Sequence, residues 1–486
     1  MLFNSFSFLG AFAVFVPAYY LLPQWRLWVL TAASLGFYAS FTPSHLLVLI
    51  GLSAATHVCG LQMSAGHPDS RRRVALAAGV LANLWALALF KYAGFVATSI
   101  ADVVPGLSQS ADPLVRAIGA TPAGLSFYAF SGVSYLADVY AGRLDAERNP
   151  ARLLTYIAFF PKLLAGPLQR GRPFLAQLDA AAPFDGARVA AGLEQLLWGL
   201  TKKVVIADRL GVFVDKAYGQ IAFASPADLL IATYFFAFQL YCDFSGYSDM
   251  AIGAARVLGF DLGENFLRPY LSSSVRELWS ARWHVSLSAW FRDYVYVPLG
   301  GSRVSLARTC LNLLGVFVLS GLWHGANWTF VVWGGLNGLY VVIGTARAKW
   351  GGVALRHHGV AAPRSVGVSG LRSFGGAVLT FHLVLVSWVF FRAPTASAGL
   401  DVLSRVVRAW SSLPGQVAQR MTPELWVSVA LILALLAAEW LDERRSIWAR
   451  LSARPAVLRW AFYYLLMAAM LVAGHWDLRQ FVYMQF

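Results

Sequence analysis

Eleven apolar runs succeed one another along the chain, near residues 6–22, 27–50, 74–99, 121–140, 152–165, 226–258, 309–322, 326–346, 374–391, 423–440 and 457–473. A helix needs about 20 apolar residues to cross a bilayer. The pattern therefore predicts an all-α, polytopic membrane protein with roughly eleven spans in one domain, 1–486. Some runs are too short or too polar for a simple span, and Pro43 is expected to bend the run 27–50. Basic residues punctuate the runs at Arg71-Arg72-Arg73, Lys202-Lys203, the loop 347–372 and Arg444-Arg445. Residues 401–420 carry Arg405, Arg408 and Arg420 and read as an amphipathic surface helix.

One stretch breaks the pattern. Residues 259–303 contain no window apolar enough to span, yet Trp and Tyr alternate there with Arg268, Arg276, Arg282, Arg292 and Arg303. That is the composition of a membrane interface. Pro269 and Pro298 interrupt it, so short interfacial or re-entrant helices are expected.

Composition agrees with a membrane class. Hydrophobic residues make up 58% of the 486 and charged residues 13%, against roughly 25% charged in soluble domains. The net charge of +15 fits basic cytoplasmic loops, and with no soluble basic domain visible a nucleic-acid partner is not expected. The N-terminus lacks a basic n-region and reads as a retained first span. Cys59, Cys242 and Cys310 are isolated, which argues against a disulfide framework or a metal site.

Polar residues inside apolar runs mark candidate chemistry. His324 lies in LSGLWHGANWTFVVWGGLNG, among Gly321, Gly325, Gly334 and Gly335, with Trp323, Asn327 and Asn337 close in sequence. Glycines there would let a backbone or a ligand come close, and His324 and Asn327 would share a face if the stretch were helical. His284 lies in RWHVSLSAW. Asp243 and Asp249 interrupt the run 226–258 and read either as acid/base groups or as a network pairing with Arg256 or the Arg-rich stretch. P-loop, HExxH and GxSxG motifs are absent. A neutral histidine in a dry site suits a general base for a hydroxyl attacking a thioester.

Three stretches, QLYCDFSGYSDMAIGAARVLGF, NFLRPYLSSSVRELWSARWHVSLSAWFRDYVYVPLGG and LSGLWHGANWTFVVWGGLNGLY, resemble the membrane-bound O-acyltransferase (MBOAT) family, in particular its alginate O-acetyltransferase membrane subunits. The resemblance covers nearly the whole chain, with the motifs concentrated in about 120–400. It implies helices ringing a central funnel, with His324 of WHGA and His284 of RWH as catalytic residues. Asn327, Asn337, Asp243, Trp323 and Arg282 support them. It also implies acetyl-CoA as co-substrate rather than a bound cofactor, and location in a bacterial inner membrane. The acetyl group would go to an SGNH-like periplasmic acetyltransferase partner that decorates an exported polysaccharide. Two positions depart from the family pattern. Asn337 stands where a histidine is expected, and the Trp279-to-His284 run is slightly longer than the usual spacing, where a one-residue insertion would turn a helix end by about 100°. A D-alanyl transferase of the same family and a polysaccharide or lipid transporter are the alternatives.

The apolar tail 479–486, ending FVYMQF, has two readings. It packs as a plug, or its Tyr483 receives the acyl group and carries it outward, the phenol being activated by a nearby base.

Overall fold

The computed structural model describes residues 1–64, 66–104, 120–180, 182–350, 371–444, 447–476 and 481–482. Tyr483 and most of the tail, with the greater part of the loop 347–372, lie outside the described residues. Among the described residues every regular element is helical, with short 3-10 and π-helical turns between α-helices. Among the described residues, eight helices are long and apolar enough to cross a membrane. They become nine if Phe6–Leu21 and Pro23–Ala39, bent by 104° at their break, count as one broken span.

The all-α multi-pass architecture is therefore as expected, but the count of eleven is not reached. The run 121–140 forms Leu125–Tyr140, a helix of 16 residues, about 24 Å long and short of a hydrocarbon core of about 30 Å. The run 152–165 is broken at Phe159 into Pro150–Ala158 and Phe160–Leu163, because Pro161 cannot donate the next helical hydrogen bond. Both runs are apolar because protein covers them, with Tyr128, Tyr135, Leu136, Tyr156 and Phe159 buried. A buried core helix and a span look alike in composition. The expected break at Pro43 is present: a 3-10 turn, Pro43–His45, separates Arg26–Ala39 from Leu46–Leu61.

The chain forms two compact units. The first comprises Met1–Leu196 and Ser248–Gly263. Its core includes a cluster of Phe8, Phe12, Phe37 and Phe160 and buried hydroxyl pairs such as Thr31 with Thr155, 2.6 Å apart. Lys162 is buried there, its Nζ 3.3 Å from the Ser131 hydroxyl and above the Tyr156 ring. Desolvation lowers its pKa to about 7.

The second unit comprises Leu197–Tyr247 and Glu264–Val482. The stretch 259–303 is folded, as expected, into short pieces, including Val275–Glu277, Val285–Phe291 and two π-helical turns. Residues 396–420 form Ala396–Arg408 and Leu413–Arg420. The first buries Gly399 and Val402 and is amphipathic, as its sequence suggests. Its Arg405 is not a free surface cation: it donates to the carbonyls of Ile221 and Ala224.

Leu306–His324 and Trp328–Trp350 form an antiparallel hairpin joined by only Gly325, Ala326 and Asn327. The two backbones approach closely. A Cβ on Gly321 would fall on the Phe330 carbonyl, and one on Gly334 on the Phe317 carbonyl. Gly335 differs, having nothing within 4 Å of the place a Cβ would take, so the expected close approach does not extend to it. Gly321→Ala should force the hairpin apart and destabilise by about 1–3 kcal/mol. Gly335→Ala should be neutral or stabilising by up to about 1 kcal/mol, from helix propensity alone. Melting temperatures of the two variants in detergent check this; equal shifts would contradict the packing.

Candidate active site

His324 ends its helix, and Gly325 leaves it in an extended conformation, φ −161° and ψ 148°. The imidazole stands edge-on to Trp323 and Trp333, each at 4.9 Å between ring centres, and to Phe391 at 5.4 Å. Trp388 stacks behind Trp333. These rings wall the histidine with apolar surface, and it is buried.

His284 is placed by an irregular backbone. The five residues Leu278–Arg282 form a π-helical turn closed by the Trp283 N–H donating to the Leu278 carbonyl at 2.8 Å. One extra residue in a helical segment is what a π turn absorbs. The run from Trp279 to His284 passes through this π turn. His284 itself has φ 44° and ψ 53°, one of two described non-glycine residues in the left-handed region; the other is Arg268. Such conformations cost of order 1–3 kcal/mol and persist only where surroundings fix them. Here Leu267 N–H donates to the Arg282 carbonyl at 2.8 Å and Val285 N–H to the Asn265 carbonyl at 3.0 Å, bracketing His284. Arg282 is fixed by Glu277 at 2.6 Å and Glu443 at 2.9 Å, and Arg268 by Glu443 at 2.6 Å and by Asp442. The His284 ring lies edge-on to Phe244 at 4.6 Å and 5.9 Å from Trp323.

Both histidines line one cavity of about 470 Å³ within the second unit. That is a size suited to a small ligand or to part of a larger one. Trp279, Trp283 and Phe317 give it an apolar wall, and Arg276, Arg292 and Arg303 also line it. Arg276 donates to Thr345 Oγ1 at 2.6 Å.

The other candidates fall into distinct places. Trp323 lies between the two imidazoles. Asn337 accepts from Trp279 Nε1 at 3.1 Å and donates to the Trp333 carbonyl at 2.9 Å, bracing two of the aromatic rings. Asn327 shares no helix face with His324, because the helix ends first. Its side chain accepts from Thr329 N–H at 3.0 Å, capping the second helix of the hairpin, and donates to the Pro394 carbonyl at 3.2 Å. Asp243 pairs with neither Arg256 nor the Arg-rich stretch. Its partner is Lys203, 2.6 Å away, which also meets Asp208 at 2.8 Å. Asp249 accepts from Gln195 at 3.2 Å.

Sequence reading missed Lys203, Asp208 and Glu443. Lys202-Lys203 looks like loop punctuation, yet both lysines are buried, in a π-helical turn Lys202–Ala207. The apolar residues on either side, LLWGLT and VVIA, were the available signal. Burial pulls the Lys203 pKa down, but the attraction of Asp243 and then Asp208 leaves it raised above an ordinary lysine, so the ion is kept.

The helical bundle thus carries two buried histidines, one of them in WHGA, on one cavity. The chain matches the membrane-bound O-acyltransferase family over residues 129–352. It is 36% identical over 441 residues to a protein named probable alginate O-acetylase AlgI of Azotobacter vinelandii, covering 90% of this chain and 83% of that protein. Its likeness to the Pseudomonas aeruginosa protein of the same name is 37% over 396 residues, 81% and 72% of the two chains. A peptidoglycan O-acetyltransferase of Helicobacter pylori is 31% identical over 441 residues, 84% and 80% of the two chains. The chain belongs to the membrane-bound O-acyltransferase family. It is an O-acyltransferase and a multi-pass membrane protein, which sets aside the transporter alternative.

Burial lowers the His284 pKa to about 3, against about 6.5 for a free imidazole. The unfolded chain takes up a proton below pH 6.5 that the folded chain refuses. The stability contributed by the neutral ring is whole above that pH and falls as pH drops toward 3, by roughly 1.4 kcal/mol per pH unit. His284→Gln should flatten the fall of melting temperature between pH 6.5 and 4.5; parallel curves for variant and wild type would show a solvated ring.

Proposed function

We propose that the protein takes an acetyl group from acetyl-CoA on the cytoplasmic side of a bacterial inner membrane and passes it outward. There an SGNH-like acetyltransferase partner places it on hydroxyls of an exported or cell-surface polysaccharide. The observation that carries this reading is the pair of buried imidazoles on one aromatic-walled cavity that is also lined by three arginines. The names of the relatives, two alginate O-acetylases and a peptidoglycan O-acetyltransferase, support a polysaccharide destination.

In this reading His324 is the general base. It removes the proton from an acceptor hydroxyl as that oxygen attacks the thioester carbonyl. The tetrahedral intermediate collapses, the C–S bond breaks, and the imidazolium returns its proton to the departing thiolate. The products are an O-acyl ester and a free thiol, with no net proton change. His284, neutral at physiological pH, donates a hydrogen bond to the developing oxyanion. Arg276, Arg292 and Arg303 offer guanidinium groups to the phosphates of the donor. The rings around His324 exclude water, which would hydrolyse the thioester. Asn327 supports the site through the hairpin turn it caps, and Asn337 through the tryptophans it braces.

The acceptor hydroxyl is that of Tyr483. A phenol has a pKa of about 10, so it needs the base, and its ester is a reactive acyl donor for the next transfer. The experiment is to incubate the purified protein in proteoliposomes with isotopically labelled acetyl-CoA and to map retained label by mass spectrometry. Label on Tyr483, with coenzyme A thiol released in equal amount, is the expected result. Tyr483→Phe, which keeps the ring and removes the hydroxyl, should hold no label and lose polymer acetylation by at least a hundredfold. A Tyr483→Phe protein that acetylates polymer at the wild-type rate would contradict the relay.

A further inference from the structure

The second unit contains a buried group of ions that the acyl-transfer chemistry leaves unused. Lys203, Asp208 and Asp243 have side chains exposed by 3% or less. One cation, Lys203, faces both carboxylates. Lys203 Nζ sits between Asp208 Oδ1 at 2.8 Å and Asp243 Oδ1 at 2.6 Å. The second oxygen of Asp243 accepts a hydrogen bond from the backbone N–H of Val482 at 2.7 Å. The same lysine lies 4.6 Å from the centre of the Phe481 ring, whose edge meets Tyr247 at 4.7 Å. Phe481 and Val482 are both buried. Earlier in the chain, His475 N–H donates to the carbonyl of Val204 in the π-helical turn at 3.0 Å.

These contacts have the parts of a peptide-binding site: a charged acceptor aimed at a main-chain amide, a cation beneath an aromatic ring, and an apolar wall. A buried carboxylate is expensive unless charged and polar partners surround it. Asp243 has one partner in the helical bundle and another in the last residues of the chain.

We propose that the Lys203–Asp243 pair is the docking site of the protein's own C-terminal segment, a latch that fixes the point from which the residues after Val482 depart. Asp243 is then a positioning residue: it acts on the reaction only by holding the tail. The catalytic consequence rests on the relay reading of Tyr483, whereas the docking does not.

Val482→Pro tests the latch with the full-length protein, because proline removes the amide donor and leaves Lys203, Asp208 and Asp243 in place. Val482→Ala keeps the amide and controls for the side chain. Each protein in detergent is treated with a carboxypeptidase, and loss of the last residues is followed by intact mass. Polymer acetylation and melting temperature are measured in parallel. Loss of a charge-assisted hydrogen bond should speed removal of the tail about ten- to a hundredfold in Val482→Pro. Acetylation should fall with it at an unchanged melting temperature, while Val482→Ala stays protected. Asp243→Asn, which keeps an acceptor but loses the charge, should release the tail to an intermediate extent. Wild-type protection in Val482→Pro would overturn the latch, whatever Tyr483→Phe does. Release of the tail in Val482→Pro with full acetylation in Tyr483→Phe would uphold the latch and remove the relay.

Discussion

Glu443 ties down the strained part of the candidate site. One carboxylate meets both Arg268 and Arg282, and these arginines flank the segment that ends in the left-handed His284. Breaking a buried ion pair by removing one partner costs about 3–5 kcal/mol, and without Glu443 the Arg282 guanidinium would keep Glu277 as its carboxylate partner. The helix Pro423–Arg444 is thereby tied to the loop that carries a catalytic candidate, although nothing on that helix lines the cavity. Polar groups in an apolar setting are stable only in such sets, and Lys203–Asp208–Asp243 is another in the second unit.

The cavity follows from two further constraints. Close glycine contacts draw the hairpin helices together, and the helix break at Gly325 leaves His324 at the end of its helix. Tryptophan and phenylalanine rings then fill the surroundings, so that both imidazoles meet apolar surface on most sides. A base in such a place is ready to take a proton only when a substrate brings one, and an activated acyl group there is protected from water. The arginines line the same cavity, giving it one region suited to anionic groups beside the apolar histidine region.

Much of this could be read in the sequence. The spans, the break at Pro43, the short pieces of 259–303 and the two histidines follow from apolar periodicity, proline positions and polar interruptions, which are local signals. The failures have a common cause in tertiary contact. Leu125–Tyr140 and Phe160–Leu163 are apolar because protein covers them, which hydropathy does not separate from lipid. Lys202-Lys203 looked like loop punctuation because its carboxylate partners lie up to 40 residues away in sequence. Asn327 looked like a neighbour of His324 because three residues separate them, but a helix end intervenes. The π turn before His284 has no signature in the apolar pattern of its residues.

The central claim is that His324 is the base for acyl transfer, and the most direct measurement is the rate of coenzyme A thiol release from acetyl-CoA by His324→Ala in proteoliposomes. The variant must have a wild-type melting temperature and elution profile for the comparison to count. A loss of about a hundredfold or more is predicted, the usual share of a positioned general base. Thiol release at the wild-type rate from the folded variant would contradict the account.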